Sequence, residues 1–194
     1  MLVRLTLICC GASAASRRGF FPSDEPLEPK AVTAAARLAR LVDPADRFLT
    51  APARRARQTA EALGLDAVET PALRDQHYGG WAGLAFEAVE RVAPEAAQGW
   101  LTDPDTSPPE GEPFSAVAAR VSDLLDSLVA QPGHTVAITH ATVVRAAILR
   151  VLQAPLAGFR HIDVEPLSLA DLRSDGRRWM LRSCGLTAPK PRRA

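Results

Sequence analysis

Apolar positions along the chain alternate between two rhythms, short continuous runs and three-to-four-residue spacings. LVRLTLIC (2–9) is rich in Leu, Val and Ile and stops before Gly11, which predicts a strand of a sheet covered on both faces. After a loop holding Phe20, Phe21 and Pro22, residues 28–42 place Ala31, Ala35, Leu38 and Val42 on one helical face. DRFLTAP (46–52) predicts a second strand, ARRARQTAEALG (53–64) a helix closed by Gly64, and DAVET (66–70) a third strand. LRDQHYGGWAG (73–83) reads as a glycine-rich loop, followed by a helix over 84–101. TDPDTSPPEGEP (102–113), polar and proline-laden, is a surface loop. Phe114, Val117, Val121, Leu124, Leu125 and Leu128 then recur at helical spacing. HTVAITH (134–140) is a buried strand, and ATVVRAAILRVLQ (141–153) a helix apolar nearly all round. HIDVEPLSLADL (161–172) and RRWMLRSC (177–184) flank RSDG as a hairpin with Asp-Gly at its turn. The end of the chain, APKPRRA (188–194), is expected to be a disordered tail.

With no internal repeat and no long linker, this alternation predicts one domain over 1–187. Its class is α/β: a three-layer α/β/α sandwich with a mostly parallel central sheet and an antiparallel edge hairpin near the C-terminus.

Composition narrows the partners. At 194 residues, with 47% hydrophobic and 23% charged positions, the chain has the make-up of an ordinary globular protein. A net charge of +1 gives no reason to expect nucleic acid or a membrane surface as partner. Lys30 and Lys190 are the only lysines, so the basic residues are almost all arginine, the side chain suited to phosphate and carboxylate. Three cysteines (Cys9, Cys10, Cys184) build no disulfide framework and show no zinc-ligand spacing, which points to a reducing, cytoplasmic setting. The opening MLVRLTLICC has too short an apolar run, and no cleavage pattern, for a signal peptide. Neither a metal nor a cofactor is expected, and oligomeric state is left open.

In open α/β sheets, ligands bind beyond the carboxyl ends of the strands. Three stretches converge there: Cys9-Cys10-Gly11, TAPARRARQTA (50–60) and THATVVR (139–145), with LRDQHYGG (73–80) as a fourth. They supply a thiol, several arginines, a carboxylate and a histidine. Arg54, Arg55 and Arg57 open a helix whose first N–H groups favour an anion, and His140 stands at a second such corner.

Taken in order, these motifs resemble the histidine phosphatase superfamily in its phosphoglycerate-mutase-like branch, over nearly the whole chain. That family starts with a strand ending in Arg-His-Gly, whose histidine accepts the phosphoryl group. The resemblance implies that Arg55 binds phosphate, that Asp75 is the proton donor in LRDQHYGGWAG, and that Gly111-Glu112 matches a Gly-Glu pair. It further implies that His140 of HATVVR is the second histidine, followed by Ala141. The implied activity is hydrolysis of a small phosphorylated metabolite. The departure lies at the acceptor: Cys10 stands where the family has histidine, Cys9 where it has arginine, and Gly11 is kept. Arg17 is expected to reach in from the loop as a replacement cation.

Two other readings stay open on the residues: a catalytically degenerate binder of an anionic ligand, and a Cys10/His140/Asp75 thiol enzyme of another group-transfer class. The loop of cysteine-dependent phosphatases, Cys-x5-Arg, is absent, since six residues separate Cys10 from Arg17. Cys184, His77, His134 and His161 match no motif. Trp81, Trp100 and Trp179 read as packing.

Overall fold

A computed structural model describes residues 2–188. In chain order its elements are β1 (Val3–Cys9), α1 (Ala14–Arg17), α2 (Pro29–Leu38), β2 (Arg47–Thr50), α3 (Arg54–Ala62), β3 (Val68–Glu69), α4 (Phe86–Val92), α5 (Pro94–Thr102), α6 (Phe114–Val129), β4 (Gly133–Thr139), α7 (Ala141–Leu152), β5 (Leu169–Ser174) and β6 (Trp179–Leu186). The six strands form one sheet in the order β3-β2-β4-β1-β5-β6. β3, β2, β4 and β1 are mutually parallel, whereas β5 runs antiparallel to both β1 and β6.

From β1 the chain moves toward β2 and β3, and after β3 it turns back through β4 to β5. Right-handed crossovers then carry α2 and α3 over one face and α6 and α7 over the other. The packing agrees: α2 contacts α3, and α6 contacts α7. The α/β/α sandwich with its antiparallel hairpin is therefore the observed architecture. The direction of winding reverses between β1 and β4, and a crevice opens at the carboxyl ends of such a pair. Register sharpens this. Cys9 is paired with Thr139, so the next residues, Cys10 and His140, leave two adjacent parallel strands at the same level.

The core lies on both sheet faces. Leu5, Leu7, Ile8, Val136 and Ile138 pack with Leu38, Phe114, Val117, Leu125 and the apolar side of α7. A second cluster joins Phe21, Trp81, Val89 and Ala97, with Tyr78, Phe86 and Trp100 packed against it. Trp81 and Trp100 thus pack, and Trp179 lies against the main core, donating its indole N–H to Leu125 O.

Several boundaries differ from expectation for local reasons. The helix expected over 84–101 is two helices, because Pro94 cannot donate an N–H to the preceding turn and instead starts α5. The helix expected to reach residue 42 ends at Leu38 and tightens to a 3-10 turn over Ala39–Leu41. Much of 161–172 is not strand: a 3-10 segment spans Leu156–His161, and β5 begins at Leu169. The tail expected at 188–194 falls outside the described residues from position 189 on, while Ala188 packs on the core.

Candidate active site

Cys10 follows β1 and is 6% exposed; His140 caps α7 after β4 and is 2% exposed. Cys10 N–H donates to Thr139 O at 2.7 Å, which ties the two strand ends together. The side chains meet as register requires, with Cys10 Sγ 3.5 Å from His140 Nδ1. Arg55, in the first turn of α3, brings Nη2 to 3.1 Å from the same nitrogen and donates to Asp75 Oδ2 at 2.5 Å. Asp75 Oδ2 is itself 3.6 Å from His140 Nδ1. Glu25 completes the ring, 3.7 Å from Arg55 Nη1 and accepting from Ser13 Oγ at 2.6 Å.

Cys10, Arg55, Asp75 and His140 floor a cavity of about 250 Å³, walled by Gly11, Ser16, Tyr78, Ala141, Thr142 and Arg145 among others. Pro22, Arg55, Asp75 and Tyr78 also line an outer vestibule of about 470 Å³, so the two spaces adjoin. Gly11 is fixed by space: a Cβ there would stand 3.0 Å from Leu27 Cδ2 and 3.1 Å from Ala31 Cβ. Its N–H donates to Thr59 Oγ1 at 3.0 Å.

The electrostatics follow from burial and neighbours. The Cys10 thiol is held well below the ordinary thiol value by a hydrogen bond from Cys9, then by His140 and Arg55, against the opposing effect of burial. Cys9 moves well above its ordinary value, as the partner that keeps its proton toward Cys10 and because it is buried. Burial alone would lower His140, but Asp75 and Cys10 outweigh it and raise the imidazole. Burial also disfavours charge on Arg55, and Asp75, Cys10 and Glu25 reverse this, so the guanidinium is firmly ionised. The floor therefore pairs a thiolate-forming sulfur with cations.

Two geometric facts bear on the chemistry. Cys10, Arg55 and Asp75 all approach Nδ1 of His140, while its buried Nε2 has no partner among the described residues. A nucleophile–base–orienter triad needs the base's two nitrogens on two different partners, and this ring does not provide that. Second, α7 begins at His140 with no side-chain cap, leaving the first N–H groups of Ala141 and Thr142 at the cavity edge for an anion. The matching corner at α3 is already filled, since Arg54 N–H donates to Asp24 Oδ1 at 2.6 Å.

Cys9, Cys10, Gly11, Arg55, Asp75, His140 and Ala141 are thus brought together. Arg17 is not: it is exposed on α1 and ion-paired to Glu28. Glu112 is not either. Its carboxylate bonds Arg120 at 2.9 Å, Arg74 at 3.2 Å and His77 N–H at 3.0 Å, and its carbonyl accepts from Gln76 Nε2 at 2.8 Å. Glu112 secures the loop that carries Asp75 and does not face the cavity. Arg145 and Tyr78 line the site without having been singled out. Arg145 closes the HATVVR motif, five residues after His140, and that spacing was its signal. His134 bonds the Pro44 carbonyl away from the site, and His77, which lines the outer vestibule, bonds the Glu110 carbonyl. Among the described residues no cluster of three or more His, Cys, Asp or Glu side chains is arranged to hold a metal ion, and no helix is long and apolar enough to cross a membrane.

Comparison with known proteins gives a consistent set of likenesses. A family model described as histidine phosphatase superfamily (branch 1) matches residues 5–187. Bifunctional protein Rv2228c of Mycobacterium tuberculosis is 36% identical over 137 residues, 66% of this chain and 37% of that protein, so the match spans little more than a third of that relative's length. Metal-independent phosphoserine phosphatase of Arabidopsis thaliana is 30% identical over 97 residues, 48% of this chain and 41% of that protein. A solved structure of the mycobacterial glucosyl-3-phosphoglycerate phosphatase Rv2419c, in complex with VO3, superposes with a TM-score of 0.82 at 26% identity, covering 92% of this chain and 96% of that one.

Proposed function

The chain belongs to the histidine phosphatase superfamily, branch 1, and on that premise we propose that it hydrolyses a small phosphorylated metabolite with Cys10 as the phosphoryl acceptor. One observation carries this reading: the Cys10 sulfur lies 3.5 Å from His140 at the floor of a cavity where Arg55 and the uncapped start of α7 can receive phosphoryl oxygens. Relatives named as phosphatases support the reaction class.

In the first step the Cys10 thiolate attacks phosphorus in line with the leaving oxygen. An S–P bond forms and the P–O bond to the leaving group breaks. Asp75, which takes up a proton from solvent once the phosphoryl oxygens replace it on Arg55, gives that proton to the leaving oxygen. Arg55 exchanges its bond with Asp75 for the phosphoryl oxygens, with His140 and the α7 N–H groups beside it, so positive charge faces the transferring group. In the second step water attacks phosphorus of the S-phosphorylated Cys10, its proton passes to the Asp75 carboxylate, the P–S bond breaks, phosphate leaves and the thiolate is restored. The shared use of His140 Nδ1 favours this scheme over the thiol triad, because here the histidine supplies charge rather than a relay between two partners.

The test is a panel of aryl and sugar phosphates run on the wild type, Cys10→Ala and Arg55→Ala. Hydrolysis by the wild type, falling about a thousandfold or more in each variant, is the expected result. No turnover across the panel, with ligand affinity unchanged in Cys10→Ala, would overturn it in favour of a non-catalytic anion binder.

A further inference from the structure

The surroundings of Cys10 favour a second electrophile besides phosphorus. Its Sγ stands 3.5 Å from His140 Nδ1, and Arg55 Nη2 reaches the same nitrogen at 3.1 Å. Cys9, then His140 and Arg55, favour the thiolate over the thiol against the effect of burial. A thiolate held beside cations and reached by small solutes is a sulfur that peroxides oxidise. Cys10 is nearly buried, yet it lines the cavity of about 250 Å³ that adjoins the outer vestibule. A water molecule claims about 30 Å³, so hydrogen peroxide, little larger, fits beside the sulfur. His140 lines the same cavity, and its buried Nε2 has no partner among the described residues. The ring can therefore lose and regain a proton without breaking a hydrogen bond at that nitrogen.

The fate of an oxidised Cys10 depends on whether a second thiol can reach it. The chain has two others, Cys9 and Cys184. Cys184 is exposed on β6, and β5 lies between β6 and β1. Two strand spacings, about 10 Å, exceed the roughly 7 Å between Cα atoms that a disulfide spans. Cys9 is the sequence neighbour, and a bridge to it would close a tight ring across a planar peptide. The backbone there is firmly held. Cys9 N–H donates to Ser168 O at 3.0 Å, Leu167 N–H to Cys9 O at 3.0 Å, and Cys10 N–H to Thr139 O at 2.7 Å. The end of the parallel β1–β4 ladder would have to open before that peptide could twist. Neither thiol resolves an oxidised Cys10.

We propose that Cys10 is a one-cysteine peroxide-reactive site, oxidised to a persistent sulfenic acid and returned to the thiol by an external monothiol. The thiolate attacks one oxygen of the hydroperoxide; the S–O bond forms and the O–O bond breaks. The departing oxygen takes the proton of the His140 imidazolium and leaves as water or an alcohol. Sulfur loses two electrons and the peroxide gains them. A monothiol then attacks the sulfenic sulfur, which releases water and forms a mixed disulfide. A second monothiol carries the first away as a disulfide and frees Cys10. This needs a thiolate in the cavity and not a phosphoryl acceptor. On the hydrolase reading, oxidation also stops turnover until the monothiol reverses it.

The test adds substoichiometric hydrogen peroxide to the full chain, traps with dimedone, and maps label and disulfides by peptide mass spectrometry. Cys184 is the internal reference, because it is exposed whereas Cys10 is only 6% exposed. At least about tenfold more label is expected at Cys10 than at Cys184, the reverse of what access alone would give. His140→Gln should cut labelling of Cys10 several-fold and leave Cys184 unchanged. 2-Mercaptoethanol added before dimedone should erase the label. Label mainly at Cys184, or a Cys9–Cys10 disulfide in place of the sulfenic acid, would overturn the proposal. Labelled protein that still hydrolyses an aryl phosphate, or labelling in a protein that hydrolyses none, would support the site and overturn Cys10 as phosphoryl acceptor. Hydrolysis with no label at Cys10 would overturn the peroxide site and leave that acceptor standing.

Discussion

At the scale of single residues, the site turns on where one proton resides. Cys10 and His140 are close enough to share it, and their neighbours push it in a consistent direction: the thiol down, the imidazole up. A lowered thiol value means that thiolate persists as pH falls, and a raised histidine value means that imidazolium persists as pH rises. The ion pair therefore occupies a window between the two. An unperturbed thiol ionises near pH ~8.5, and each unit of displacement corresponds to about 1.4 kcal/mol. Alkylation by iodoacetamide, followed against pH in a Cys184→Ser background in which Cys9 keeps its proton, should inflect below that value. His140→Gln should move the inflection upward, because it removes the adjacent cation while leaving burial in place. An inflection at or above pH ~8.5 in the parent would refute the ion pair.

At the scale of elements, the loop that carries Asp75 depends on a neighbour loop for its shape. Gly80 N–H donates to Pro109 O at 2.8 Å, and Glu112 N–H donates to His77 O at 2.9 Å. Gly79 has φ +50, and a Cβ there would stand 2.0 Å from Pro109 O, so only glycine fits. Glu112 anchors this contact through Arg120 and Arg74. Glu112→Ala leaves Arg120 largely buried and uncompensated, at a cost of about 3 kcal/mol. For a chain of this size that corresponds to a fall in Tm of about 6–12 °C. Turnover should fall with it, since Asp75 loses its support, and Glu112→Gln should recover part of both. A variant with unchanged Tm would show the clamp to be idle. The motif at 111–112 was visible in the sequence, but its role was not: a one-dimensional pattern carries no direction for a side chain. Likewise helical spacing over 84–101 was legible, whereas the break at Ala93 required weighing Pro94 against an otherwise continuous apolar face. The expected reach of Arg17 failed because Glu28, eleven residues on, offers a nearer carboxylate at the surface.

At the scale of the whole molecule, strands and helices could be read from periodicity, and the meeting of Cys10 with His140 could be anticipated from strand ends. What periodicity cannot give is the sheet order. The order β3-β2-β4-β1-β5-β6 makes β1 and β4 neighbours across 130 residues of sequence, and the Cys9–Thr139 register sets the two side chains level. This geometry belongs to the backbone and not to the residues mounted on it. Ile8 and Ile138 are fully buried beneath the site, and the β1–β4 ladder extends over all seven residues of each strand. The scaffold should therefore accept a different side chain at position 10 without moving. Cys10→His, alone and with Cys9→Arg, would restore an imidazole nucleophile and a cation to the strand end while Arg55, Asp75 and His140 stay in place. If the cavity is a phosphoryl pocket, aryl phosphate hydrolysis should rise at least tenfold over the wild type in one or both variants, with Arg55→Ala abolishing the gain. Because Cys9 is buried, its replacement by arginine must be checked for folding by circular dichroism, and the single Cys10→His variant carries the conclusion if the double variant does not fold. A correctly folded Cys10→His protein with no gain would mean that the remaining charges do not hold a phosphoryl group in line, and that the pocket has diverged beyond its acceptor.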